Sequence, residues 1–167
     1  MKINQIGLFI FLVVVLATGC KREEFDSVPQ SGEVLTSLAG SWTLKRVIQK
    51  DETAEIKNSP FVTLDLTPLF PYTEYKLTLT STGSPTGDYT AVPGASPQII
   101  RSNTGKWIVD DIKNPRFVSF VDGTDTTRME IGSYPTSFNS GFKLKQTKID
   151  VATGKPAISY NYEFSKQ

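Results

Sequence analysis

Ile158-Ser159-Tyr160-Asn161-Tyr162-Glu163-Phe164-Ser165 alternates large apolar or aromatic side chains with polar ones without a break. A period of two places Ile158, Tyr160, Tyr162 and Phe164 on one face and the polar partners on the other. This is the signature of a strand with one face buried and one in solvent. Upstream, Tyr75, Leu77 and Leu79 alternate with Glu74, Lys76, Thr78 and Thr80 in the same way. Trp42, Leu44 and Ile48 share a parity opposite Thr43, Lys45 and Gln49, and read as another half-buried strand. Residues 61–66, 89–92, 106–109, 116–121, 128–131 and 138–149 supply further short runs, the last interrupted near Gly141.

Turn-forming residues punctuate these runs at hairpin spacing. Asn103-Thr104-Gly105, Asp122-Gly123, Asn139-Ser140-Gly141 and Thr153-Gly154-Lys155 each contain residues that tolerate positive φ. Glu33 to Ala39 is too short for a free-standing helix, and reads as one or two turns ended by Gly40. No longer amphipathic helix is evident. About eight strands in sequence order, with no helical crossovers, predict an all-β antiparallel meander closed as a barrel, with a β-sandwich as the alternative. Thr67-Pro68-Leu69-Phe70-Pro71-Tyr72 breaks the alternation. Its two prolines forbid a central strand, and its apolar content predicts a short helical turn or plug across one end.

The other end of the chain reads as an address. Lys2 precedes an uninterrupted apolar run from Ile6 to Ala17, which falls short of the roughly 20 residues that span a bilayer. Leu16-Ala17-Thr18-Gly19-Cys20 then resembles the lipobox of a bacterial lipoprotein. The resemblance implies a cleaved leader over residues 1–19, an acylated Cys20 that anchors the chain in a membrane, and a flexible tether over residues 20–32. Residues 33–167 would form one β-barrel domain. Cys20 is the one cysteine of the chain, so no internal disulfide is available. Lys21-Arg22-Glu23-Glu24-Phe25-Asp26 resembles the surface-export signal of Bacteroidota lipoproteins, so the outer membrane is expected, on its periplasmic face or at the cell surface.

Composition excludes several functions. The chain has no histidine, which removes Ser-His-Asp and Cys-His catalysis and histidine-containing zinc sites. After the leader, acidic and basic residues balance and no basic stripe remains, so nucleic acid has no electrostatic footing. Asp110-Asp111 and Asp51-Glu52 are adjacent carboxylates that a strand would point to opposite faces, and strand ends in solvent suit them better than acid-base work. Asp122-Gly123-Thr124-Asp125 fits a hairpin turn better than a calcium loop. Ser140-Gly141-Phe142-Lys143 matches Ser-x-x-Lys but lacks the helical setting that acyl-enzyme chemistry needs. Asp26-Ser27-Val28 and Asp125-Thr126-Thr127 match short O-glycosylation tripeptides. No catalytic residue, metal site or cofactor is expected.

A helical turn, then Leu38-Ala39-Gly40-Ser41-Trp42-Thr43-Leu44, resembles the opening of a lipocalin, in which a Gly-x-Trp motif starts the first strand and the Trp plugs the closed end. With Asp65-Leu66-Thr67-Pro68-Leu69-Phe70, Tyr75-Lys76-Leu77-Thr78-Leu79, Gly105-Lys106-Trp107 and Asp110-Asp111, the pattern resembles the lipocalin-like domains of unknown function found on Bacteroidota envelope lipoproteins. This covers residues 34 to about 165 and implies a fold and an envelope location. In lipocalins a basic residue from late in the barrel packs over the Trp. The last strand is expected to carry none, so Arg46, at the parity of Trp42, is expected to substitute from the same strand or to lie at a rim.

Two functions follow as expectations. In the first, the barrel binds a small hydrophobic or glycan-like ligand, oriented by Arg46, Tyr75, Tyr160 and Tyr162 in an apolar setting. In the second, the tyrosines fill a solid core and the barrel docks on another envelope protein.

Overall fold

The computed structural model of the chain describes residues 31–54, 62–81, 85–132 and 140–167. The leader, Cys20, most of the tether, Asp26 to Val28, Phe61, Phe138 and Asn139 lie outside the described residues. Helix α1 (Ser31–Leu38) begins two residues inside the expected tether. Nine strands follow: β1 (Gly40–Asp51), β2 (Thr63–Asp65), β3 (Lys76–Leu79), β4 (Thr86–Val92), β5 (Thr104–Val109), β6 (Phe117–Asp122), β7 (Asp125–Ile131), β8 (Gly141–Ile149) and β9 (Pro156–Lys166). β1 pairs antiparallel with β3, successive strands from β3 to β9 pair antiparallel, and β1 pairs with β9 along its length, so β1 and β3 to β9 close an eight-stranded barrel. Short β2 is a ninth strand on the second half of β1. The sheet is continuous and closed, which is the barrel and not the sandwich.

The inner face carries the core. Trp42, Leu44, Val47, Tyr75, Leu77, Leu79, Trp107, Phe120, Met129, Phe142, Leu144 and Phe164 are all buried there. Helix α1 seals one end, with Leu35 and Leu38 buried and the Trp42 indole Nε1–H donating to the Leu38 carbonyl at 2.9 Å. Phe142 meets Trp42 edge-on at 4.6 Å and stacks on Phe164 at 5.0 Å, which completes the seal. Gly40 has φ +141, and a Cβ there would meet the Lys166 side chain at 3.1 Å. The glycine of the Gly-x-Trp motif thus serves both an unusual backbone angle and the entry of Lys166 over the Trp42 ring, 5.4 Å from its centre. The expectation that the last strand carries no basic residue is corrected: β9 runs beyond Ser165 to Lys166, which supplies one.

Three local expectations are corrected. A bulge in β1 between Leu44 and Arg46 breaks the alternation, so Val47 and not Ile48 continues the buried face. Gly105 belongs to β5 and not to a hairpin turn; its φ of +154 and its approach to the Val121 carbonyl leave no room for a side chain. The long connection is instead Pro93 to Asn103. Where a helical turn was expected over Thr67 to Tyr72, the 3-10 turn is Tyr72–Glu74; Tyr72 is buried, whereas Leu69 and Phe70 are exposed.

Candidate functional site

The end of the barrel opposite α1 is a mouth. Two connections fold across it: the Leu66 to Tyr75 segment and the Pro93 to Asn103 segment. Glu74 ties them together, its carboxylate accepting the Ala95 N–H at 2.8 Å. Ile99 and Ile100 are buried beneath, and the Arg101 N–H donates to the Thr127 hydroxyl at 3.2 Å. The second segment therefore seats against β7 through apolar side chains and a backbone bond.

The seam between β7 and β8 is open on this side. The two strands pair only at Glu130–Lys145 and Ile131–Leu144, with one further bond from the Gly132 N–H to the Lys143 carbonyl at 2.8 Å. On its other side β8 pairs with β9 from Gly141 to Ile149. The inner face of β8 changes character where the pairing with β7 stops. Buried Phe142 and Leu144 give way to half-buried Gln146 and exposed Lys148 at the same parity. A polar inner face suits water or a polar ligand and not a sealed core.

The seam and the mouth together form a cavity of about 540 Å³, within the range of small-molecule sites. Tyr72, Tyr160 and Tyr162 supply aromatic walls, Gln146 and Lys148 come from β8, and Thr126 to Arg128 come from β7. Tyr160 and Tyr162 lie nearly parallel, 6.3 Å between ring centres. Burial pushes the Tyr162 phenol far above its usual range, with Tyr72, Tyr160 and Tyr75 acting in the same direction. Burial also raises Tyr72. These hydroxyls therefore stay protonated and serve as neutral donors and acceptors.

Of the residues expected to orient a ligand, Tyr160 and Tyr162 line this cavity. Tyr75 does not: it sits in the core, with no accessible surface and a hydroxyl that has no hydrogen-bond partner. Burial drives its phenol far upward; the Ile100 backbone is near enough to oppose this in part but falls outside hydrogen-bond geometry, so the hydroxyl stays unsatisfied. Arg46 does not line it either. The bulge turns its side chain outward, where it is 52% exposed and pairs with Asp65 at 3.1 Å. Sequence reading missed Gln146, Lys148 and the Gln98 to Arg101 stretch. The signal available was the loss of apolar character after Leu144 on a strand otherwise read as half-buried.

The adjacent carboxylates have structural roles. Asp110 accepts backbone N–H groups of Asp111, Arg116 and Phe117, which folds the β5–β6 loop back on itself. Glu52 bridges Lys50 at 2.9 Å and the Ser159 hydroxyl at 2.7 Å on the outer face. Asp122 and Asp125 flank a two-residue turn with Gly123 at φ +57. Ser140 precedes β8, and Lys143 within it pairs with Glu163, so no shared helical face exists. Among the described residues no group of three or more potential metal ligands is gathered, and no helix is long and apolar enough to cross a membrane.

Strand order, the sealed end under α1 and the mouth with its cleft define a class: an eight-stranded up-and-down antiparallel barrel closed at one end. The structure is similar to lobster apocrustacyanin A1 over 84% of this chain and 70% of that chain, with a TM-score of 0.46 and 14% sequence identity. No protein-family model matches the sequence, and no curated protein does.

Proposed function

We propose that this chain is a lipid-anchored lipoprotein of the bacterial envelope, held by acylated Cys20, whose barrel captures a small ligand in its mouth without catalysis. One observation carries the capture: a small-molecule-sized cleft walled by Tyr72, Tyr160 and Tyr162 lies above an interior already filled by Trp42, Trp107, Phe120 and their neighbours. Ligand would rest in the mouth and not in a central apolar cavity. Parallel tyrosine rings favour stacking on a flat or ring-shaped body, and the polar wall favours hydroxyls. Of the two ligand types expected, the glycan-like one fits this lining better than a purely hydrophobic one.

Native mass spectrometry of protein purified from its own host tests the capture. A retained molecule that disappears in Tyr160→Ala supports it; bare protein in both preparations counts against it. Detergent phase separation tests the anchor separately: wild type enters the detergent phase and Cys20→Ala does not. Equal partitioning of the two would refute lipidation.

A second reading has its own observation. Leu69 and Phe70 are 59% and 45% exposed, and Val151 is 99% exposed, all on connections at the mouth end. Such apolar side chains at a rim suit an envelope protein partner. Loss of co-purifying protein in a Leu69→Ser, Phe70→Ser, Val151→Ser variant would favour this reading.

A further inference from the structure

The lining of the mouth is rich in donors and, among the described residues, carries no carboxylate. Its cations are Arg101, Arg128 and Lys148, and their situations differ. Arg101 pairs with Asp125 at 3.3 Å. The Arg128 guanidinium lies 4.1 Å over the Phe117 ring and, among the described residues, forms no ion pair. Lys148 sits on the inward parity of β8, and among the described residues it forms no ion pair. Of the carboxylates near these cations in the chain, Asp125 pairs with Arg101 and Asp150 accepts the N–H groups of Ala152 and Thr153, while Glu130 shares the exposed outward parity of Arg128 on β7 and does not line the cavity.

The open seam adds backbone donors. In an antiparallel ladder, alternate residues direct both N–H and C=O to the same neighbour. The Ile131 N–H bonds toward β6, at the Arg116 carbonyl, and the Gly132 N–H bonds toward β8. Even-numbered residues of β7 therefore face β8. Past the last pair at Glu130, the N–H groups of Arg128 and Thr126 point into the seam that β8 has left, and both residues line the cavity. The C=O groups of the same residues face the seam too, so its backbone is neutral overall; the N–H groups can serve an acceptor on the ligand, and the charge that favours an anion comes from Lys148.

Resting on the capture reading above, we propose that the mouth selects ring-bearing anions. The carboxylate, sulfonate or sulfate group sits in the β7–β8 seam against the Lys148 ammonium and the Thr126 and Arg128 N–H groups. The ring lies on Tyr160 and Tyr162. Lys148 is the specificity residue, because it supplies the mobile full charge that reaches inward.

Naphthalene-1-sulfonate and its neutral analogue naphthalene-1-sulfonamide share the ring and differ in charge. Each is titrated calorimetrically into the full-length protein in detergent, with a micelle blank subtracted. The sulfonate binds about tenfold more tightly than the sulfonamide at low salt. Lys148→Gln weakens the sulfonate more than the sulfonamide and so narrows that preference to less than about threefold, Lys148→Arg restores it, and Tyr160→Ala weakens both. Equal affinities in wild type, or an undiminished preference in Lys148→Gln, overturn the anion selectivity while leaving capture intact. Binding of neither probe overturns the capture reading as well.

Discussion

The ammonium nitrogen of Lys166, the final residue of β9, lies 5.4 Å from the centre of the Trp42 ring, near the start of β1. The contact joins the first and last strands at the end sealed by α1. The Gln167 N–H donates to the Ser41 carbonyl at 2.9 Å beside it. Lys166→Ala is expected to cost about 0.5–1 kcal/mol in urea unfolding, the value of an exposed cation–π contact. Lys166→Met keeps the aliphatic stem over the ring and should recover part of that loss. Equal stability of all three proteins would show that the contact contributes nothing.

Gly87 in β4 faces the Trp107 indole, whose Nε1–H donates to the Thr80 carbonyl at 2.8 Å. A Cβ at Gly87 would stand 1.8 Å from that carbonyl oxygen and 2.4 Å from Nε1. The carbonyl is backbone and cannot rotate away. Gly87→Ala should therefore destabilise by about 1–3 kcal/mol and shift the tryptophan emission of the folded protein. Wild-type stability together with unchanged emission would contradict this packing.

Acid should weaken the barrel in part through Glu52. Its hydrogen bonds to Lys50 and then Ser159, with the Lys145 charge adding to them, hold its carboxyl at about 2 against an ordinary 4.5. A depressed folded-state pKa means that the stabilisation is complete above about 4.5 and is lost as pH falls toward about 2. The ceiling is about 3 kcal/mol. Glu52→Gln should be less stable than wild type at pH 7, and the two curves should converge below pH 3. Parallel curves from pH 7 to 2 would remove Glu52 from the acid response.

Tyr75 and Tyr89 form a matched pair of tests. The Tyr75 hydroxyl is buried without a partner, whereas the Tyr89 hydroxyl donates to the Ser102 carbonyl at 3.3 Å. Removing an unsatisfied buried hydroxyl relieves a desolvation cost, and removing a bonded one forfeits a bond. Tyr75→Phe should leave the midpoint unchanged or raise stability by up to about 1 kcal/mol, while Tyr89→Phe loses about 0.5–1.5 kcal/mol. A marked loss in Tyr75→Phe would mean that its hydroxyl has a partner in solution.

The alternation in 158–165 and 75–79 was enough to read the strands, because the inner face of a barrel is dry and its outer face is wet along most of each strand. Trp42 was legible for the same reason. Arg46 was not, since one extra residue in β1 reverses every parity beyond it and leaves no compositional trace. Pro93 to Asn103 has the look of an ordinary loop; the burial of Ile99 and Ile100 depends on a mouth that exists only once the barrel closes. Lys148 was hidden because its importance comes from the parting of β7 and β8. That parting is a relation between strands and is absent from either one alone.

Titration of isotopically labelled protein with naphthalene-1-sulfonate, followed by amide chemical shifts, tests mouth capture most directly. The account predicts saturable shifts grouped at residues 98–101, 126–128, 146–148 and 160–162, with α1 and the Trp42 end unmoved. Shifts scattered over the outer strands, or none at saturating probe, would contradict it.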